Sequence, residues 1–381
     1  MKAKELPEIG KISLQVFNEL IFPRLGAQSE HVLVGPQHGV DVGIVEIGSK
    51  AVALTTDPVF IVPEYGWERA AWFAIHILAS DAVTSGLKPR FLSIDLNLPM
   101  EMTHEQLEIM WDAMHRECQR LGISIVCGHT ARYENCHYPM VGGATVISVG
   151  EKTEYVTPKM AKAGDKIIVT KGPAIEASGI FATMFPELIQ REFGLGFAQR
   201  AQGIFYKMSV VEDAMTAVSV GARDDGVSAM HDATECGIWG GLYEIAQAAD
   251  LGMRVEKELI VVEDCVREIC QYFGIDPYAS ISEGTLIITC REHKAQEVLR
   301  ALSRKGIASS IVGEMLDLEH GMLLVEEGKE RELEHPEVDP FWNAFYGALS
   351  KKQQGYGNGT GGNEWQSRSS VAADLPKEEG C

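Results

Sequence analysis

A chain of 381 residues, 45% hydrophobic and 23% charged, can bury a large core and is long enough for two domains. Its formal net charge of −20 argues against nucleic acid as a partner, because a polyanion would be repelled over most of the surface. No run approaches the roughly 18 apolar residues of a membrane span, and the start from Met1 to Pro7 lacks a signal-peptide core, so a cytoplasmic protein without a membrane partner is expected.

The first elements alternate strands with small-residue turns. Val32-Leu33-Val34 runs into Gly35-Pro36-Gln37-His38-Gly39-Val40-Asp41 and then Ile44 to Ile47, which reads as strand, glycine loop, carboxylate, strand. Ala51 to Leu54 forms the next strand and ends on Thr55-Thr56-Asp57. A helix follows near 67 to 85, patterned by Trp72, Ile75, Ala79 and Ala82, and it carries Asp81 inside an apolar run. A charge so placed needs a partner, and a hydrated cation is one candidate.

Phe91 to Leu98 alternates as a strand, and a helix near 103 to 121 lines up Leu107, Met110, Trp111, Met114, Cys118 and Leu121. A stripe of that spacing is read as core. Strands near 123 to 127 and 141 to 149 complete a first half in which strands joined partly through helices imply an α+β sheet layered by helices. The eight cysteines include no Cys-x-x-Cys pair, and most are expected as reduced core residues. Cys127, His129, Cys136 and His137 are numerous enough for a zinc site, but their spacing matches no common pattern and Cys127 ends a buried-looking strand.

Pro158 to Gly164 reads as a boundary, giving domains over 1–157 and 158–330. Lys166 to Thr170 opens the second half as a strand, followed by the turn Lys171-Gly172-Pro173, whose lysine either meets a phosphate or is simply solvated. The block Met230 to Leu242 is the most informative, because small residues there run straight into a helix whose Leu242, Ile245, Ala246 and Ala249 form one apolar face. Unpaired N–H groups at such a start attract an anion. Asp232 and Glu235 just upstream would repel a bare phosphate unless a divalent cation stood between them, so the chemistry suggests metal plus nucleotide. The competing readings are that the glycines only allow close helix packing and that Asp57, Asp81 and Asp232 cap helices or turns. A strand at Leu286 to Thr289, a helix near 292 to 305 and Met322 to Val325 close this half. From Ser350 the chain turns rich in Gly, Ser, Gln, Asn and Lys and reads as a flexible tail, 350–381, ending in Cys381.

The Gly35 to Asp41 loop, Thr55-Thr56-Asp57, Ser80-Asp81, Gly128-His129-Thr130, Thr170 to Glu176, His231 to Glu235 and Ser282-Glu283-Gly284-Thr285 occur in an order that resembles one ATP-dependent superfamily. Its members include aminoimidazole ribonucleotide synthetase, selenophosphate synthetase, thiamine monophosphate kinase and the hydrogenase maturation factor HypE, and the chain is most similar to the HypE-like branch. The resemblance implies a two-domain PurM-like fold: an N-terminal mixed-sheet domain that binds ATP and forms a homodimer, then a C-terminal α/β sandwich domain. It implies ATP and Mg2+ as cofactors, with Asp41, Asp57, Asp81 and Asp232 as metal ligands. Gly35, Gly39, Asp41, Asp57, Gly128, His129, Thr130, Thr234 and Gly237 are the implied nucleotide contacts, and Asp81, Asp232, Lys171 and Cys381 the implied catalytic set.

The implied reaction phosphorylates an amide or carboxamide oxygen and so drives dehydration or ring closure. The acceptor is small or protein-borne and carries an amide or carbamoyl group, and a maturation partner protein supplies it. In HypE a C-terminal cysteine on a mobile tail takes that group. The tail here shares a proline and the final Cys381 but not the Pro-Arg-Ile-Cys ending, and a coil of this length reaches about 30 Å. Val40 stands where relatives often have a second acid, His129 where many have Asp, and Cys236 and Trp239 interrupt a block usually richer in glycine. Two alternatives stay open: a phosphotransferase of the selenophosphate synthetase or thiamine phosphate kinase type, and a nucleotide-binding scaffold without turnover, which Val40, His129 and Cys236 favour.

Overall fold

The computed structural model describes residue 12 and residues 14–355. The chain divides into two units, Met1–Phe341 and Trp342–Cys381, and both sheets belong to the first.

The first sheet contains β1 (Val32–Val34), β2 (Gly43–Ile47), β3 (Lys50–Phe60), β4 (Pro89–Leu98), β5 (Ser124–Arg132) and β6 (Met140–Glu151), in the order β1-β2-β3-β6-β4-β5. β4 and β5 pair in parallel and the other neighbours antiparallel, so the sheet is mixed. The helix Trp67–Val83 lies against β3 and β6 and is buried over most of its surface, which its alanines at 70, 71, 74, 79 and 82 permit by letting neighbours approach. Next to it packs the helix His104–Leu121, opened by a reciprocal cap in which Thr103 Oγ1 accepts from Gln106 N at 3.2 Å and Gln106 Oε1 from Thr103 N at 2.9 Å. Met110, Met114 and Cys118 of the expected stripe are buried, but Trp111 faces solvent, so the apolar face is narrower than the sequence suggested. The strand read as buried around Cys127 is also corrected: β5 is an edge strand, and Val126 and Cys127 are exposed on it.

The second sheet contains β7 (Lys166–Thr170), β8 (Val227–Ala233), β9 (Gly252–Glu256), β10 (Thr285–Cys290), β11 (Ser309–Leu316), β12 (Met322–Glu326) and β13 (Lys329–Glu332), in the order β13-β12-β9-β11-β7-β10-β8. Apolar side chains leave both faces. Ile167, Val169, Ala229, Ala233 and Ile287 enter one core with Leu242 and Ile245 of the helix Gly237–Ala249. Ile168, Met230, Leu286 and Ile288 enter the other with Ala214 and with Val298 of the helix Glu292–Arg304. Burial on both faces explains why these strands read as continuous apolar runs.

One ion pair fastens the second sheet. Arg291 Nη1 donates to both carboxylate oxygens of buried Asp165, at 2.7 and 2.6 Å, while Ser228 Oγ and Lys162 N donate to the same group. The helix Pro340–Gly355 continues through Lys351 to Gln354, all good helix formers, over residues read as the start of the tail; residues 356–381 lie outside those described. Cys381 lies outside the described residues. Removing one partner of a buried pair strands the other charge, so Arg291→Met is expected to cost about 3–5 kcal/mol in urea unfolding.

Candidate functional site

Three elements of the first half and, from the second, one strand and one helix converge on one cavity of about 550 Å³, lined by Pro36 to Gly43, Leu54 to Asp57, Asp81, His231 and Glu244 together with Ile12 and Phe17. β1 and β2 pair antiparallel, which throws the loop between them off the sheet toward the helix Gly237–Ala249. Gly39 makes that approach possible: its φ is +72°, and a Cβ there would stand 2.6 Å from the Glu244 carbonyl oxygen. Asp41 then faces into the cavity, within 3.0 Å of His231 Nδ1.

Alternation along β3 puts Thr55 and Asp57 on one face. Thr55 Oγ1 donates to Asp81 Oδ2 at 3.3 Å, and the carboxyl groups of Asp57 and Asp81 hydrogen-bond each other. Asp81 sits in the last turn of its helix, where the backbone dipole disfavours negative charge. Burial, then the charges of Asp232, Asp57 and Asp41, push its carboxyl well above the ordinary range. Asp232 is buried in β8, opposite Leu286 of β10. Four carboxylates thus crowd one wall, which is the donor set a hard divalent cation requires.

His231 answers part of that charge from within. Its Nδ1 lies 3.0 Å from both oxygens of Asp41 and its Nε2 2.9 Å from Glu244 Oε2. Burial pulls the imidazole down, but the two carboxylates outweigh it and the net shift is well upward. His38 and His335 approach Glu244 more loosely, at 3.9 and 3.8 Å. A second acidic group adjoins the first. Glu283 is buried, with its carboxyl raised by burial and then by Asp232 and Glu176, while a hydrogen bond from Ser80 and the charge of Lys171 oppose the rise. Glu176 accepts from Glu283 N at 3.0 Å and is pushed up to about 7, chiefly by burial.

The remaining expected residues lie elsewhere. Lys171 points inward, its ammonium donating to Ser209 O at 2.7 Å and to Asp213 Oδ2 at 2.9 Å. Gly128, His129 and Thr130 are on the exposed edge β5, where His129 Nε2 meets Tyr133 Oη at 2.9 Å, outside the cavity lining. Thr234 and Gly237 are outside it too, as is Gly35. The helix start expected to hold a phosphate is occupied by the protein's own acid: Cys236 N donates to Asp339 Oδ2 at 2.8 Å, and Ser280 O stands 2.5 Å from where a Cβ of Gly237 would be. His231, Glu244 and Glu283 received no role from the sequence; the histidine beside Asp232 in a strand was the available signal for the first.

A two-sheet α+β protein whose glycine loop and paired carboxylates face one cavity has the PurM-like fold. The AIR synthase related protein models match over residues 39–150 for the N-terminal domain and 162–326 for the C-terminal domain, and the chain belongs to that family. It is 22% identical to a hydrogenase expression/formation protein of Methanocaldococcus jannaschii over 87% of this chain and 96% of that one. It is 25% identical to the carbamoyl dehydratase HypE of Escherichia coli over 69% of this chain and 75% of the other. Among solved structures, HypE in its complex with HypF aligns at a TM-score of 0.63 and 21% identity, covering 77% of this chain and 93% of that one. HypE in complex with ATP aligns at 0.60 and 22%, covering 87% and 97%.

Gly39→Ala combines a positive φ with a collision against backbone, so it is expected to cost about 3 kcal/mol in urea unfolding and to weaken ligand binding in the cavity.

Proposed function

We propose that the protein is an ATP- and Mg2+-dependent enzyme of the HypE type that phosphorylates a carboxamide oxygen and drives loss of water. The observation that carries this reading is that Asp41, Asp57 and Asp81 line one cavity beside a glycine loop, with buried Asp232 close behind Asp41 and Asp81. The relation to hydrogenase maturation proteins and the fold shared with HypE bound to ATP support it.

The four aspartates would hold Mg2+, and the raised carboxyl of Asp81 is the mark of a site whose own like charges need a cation. Bound there, the ion supplies charge neutralisation for the transferring phosphoryl group. The residues do the placing. Gly39 and its loop bring Asp41 over the cavity, and the buried helix Trp67–Val83 fixes Asp81 against Thr55. Transfer of the γ-phosphoryl group to the carboxamide oxygen makes phosphate the leaving group. One amide proton leaves nitrogen as the oxygen is phosphorylated and the second as the C–O bond breaks and the C≡N bond forms, both passing to solvent.

The carbamoyl group would be carried on Cys381 and supplied by a maturation partner, as the complex of HypE with HypF suggests. A cytoplasmic homodimer through the first sheet is part of the same reading. Its support is the exposed edge strand β5 with Val126, next to exposed Phe91 of β4, since a bare apolar edge is a template for pairing.

Two outcomes are expected. Asp81→Asn lowers Mg2+-dependent ATP turnover by about 100-fold or more in a steady-state phosphate-release assay. Intact-mass analysis after incubation with a carbamoyl-transferring partner finds an adduct on Cys381 that loses the mass of water when ATP is added; an unmodified Cys381 beside a competent partner contradicts the reading.

A further inference from the structure

His231 stands among the carboxylates as a nitrogen donor. Asp41, His231 and Asp232 each present a ligand atom, and these atoms all lie within 4.8 Å of one another. Ligand atoms bound at right angles to one ion stand about 3 Å apart when its bonds are ~2.1 Å. The His231 Nδ1 is 3.0 Å from Asp41, which fits that separation. The far side of the ring is fixed independently, because Nε2 is 2.9 Å from Glu244 Oε2. A carboxylate that accepts the Nε2 proton leaves the Nδ1 lone pair for a metal, orients the ring and makes it more basic, the arrangement common behind metal-bound histidines. Glu244 belongs to a different element, the helix Gly237–Ala249, and the close approach of Gly39 to its backbone keeps loop, ligand and support together.

We propose that Asp41, His231 and Asp232 form a mixed nitrogen–oxygen site that selects a first-row transition ion such as Mn2+, Co2+ or Zn2+ over Mg2+, with Glu244 as the positioning residue of its histidine. The inference rests on the reading of this cavity as a metal–nucleotide site and adds a second donor class to it. Imidazole is a poor ligand for Mg2+ and a good one for these ions. Of the four aspartates read above as Mg2+ ligands, Asp41 and Asp232 go to this site, and Asp57 and Asp81, an oxygen-only pair, hold Mg2+. On binding, the ion replaces the proton on Nδ1, which leaves to solvent. The competing role for His231 is a permanent imidazolium bridging Asp41 and Glu244, and metal selectivity separates the two.

The test is a Co2+ titration of the full-length, chelator-treated protein, followed by visible absorption, with Mg2+ as competitor. One Co2+ per chain is expected, held at least about tenfold tighter than Mg2+. Glu244→Gln should weaken it by about 10–100-fold, and His231→Gln should abolish the characteristic bands. Asp57→Asn should leave them in place. Co2+ that binds no tighter than Mg2+, or a His231→Gln protein with unchanged affinity and bands, overturns the proposal. Should His231→Gln fail to fold, pulsed electron paramagnetic resonance of the Mn2+-loaded wild type decides: a nitrogen hyperfine coupling supports the site and its absence overturns it. Co2+ held through His231 by a protein that never binds ATP would leave this inference standing and sink the nucleotide reading, while Mg2+–ATP binding without Co2+ selectivity would do the reverse.

Discussion

Like charges held together in one wall are the constraint on which the rest of this structure depends. Asp81 feels Asp232, Asp57 and Asp41 strongly enough that its carboxyl is pushed far upward on top of the effect of burial. Two unit charges 4 Å apart at an effective dielectric constant of about 20 repel by ~4 kcal/mol, so no such group would assemble unless packing elsewhere compensated. The compensation is visible in the frames behind each acid. Asp81 rides a helix buried over most of its surface, Asp57 lies in the long central strand β3, and Asp232 lies in a strand buried along its whole length. His231 stands within hydrogen-bonding distance of Asp41 and answers part of that charge.

The two sheets divide the work. The first supplies Asp41 from the loop before β2 and Asp57 from within β3, and the second supplies His231 and Asp232 from β8, with the helix Trp67–Val83 lying between β3 and β8 and touching both. Its Val83 belongs to the second core, and its Ser80 Oγ accepts from Val210 N at 3.1 Å, so the helix that carries Asp81 is fixed from both halves. His76 on the same helix meets Ser209 Oγ at 2.7 Å and Glu117 Oε2 at 3.1 Å, which extends the anchoring to the outer helix. A site assembled this way depends on the register between sheets.

Much of the fold was legible, because short apolar runs bounded by glycine, proline and acids are what such strands look like from outside. Where the reading went astray, the cause lay in contacts that sequence does not display. Trp111 and Cys127 have core-like character, yet an outer helix face and an edge strand leave them in solvent. Asp81 stood out as a charge in an apolar run, the set of four came from the family resemblance, and Asp57, Asp232 and Asp41 all lie near Asp81. Lys171 and the start of the helix at Gly237 were both read as able to meet a phosphate, but Asp213 and Asp339 accept from donors there. His231 and Asp41 stand 190 positions apart, and nothing local announces that they meet.

The central claim is that the aspartates bind nucleotide through a divalent cation. Calorimetric titration with a non-hydrolysable ATP analogue tests it directly, run with Mg2+ and with chelator on the wild type and on Asp57→Asn. The account predicts one nucleotide per chain with Mg2+ and a large loss of affinity both in chelator and in the variant. Equal affinity in all three conditions would contradict it.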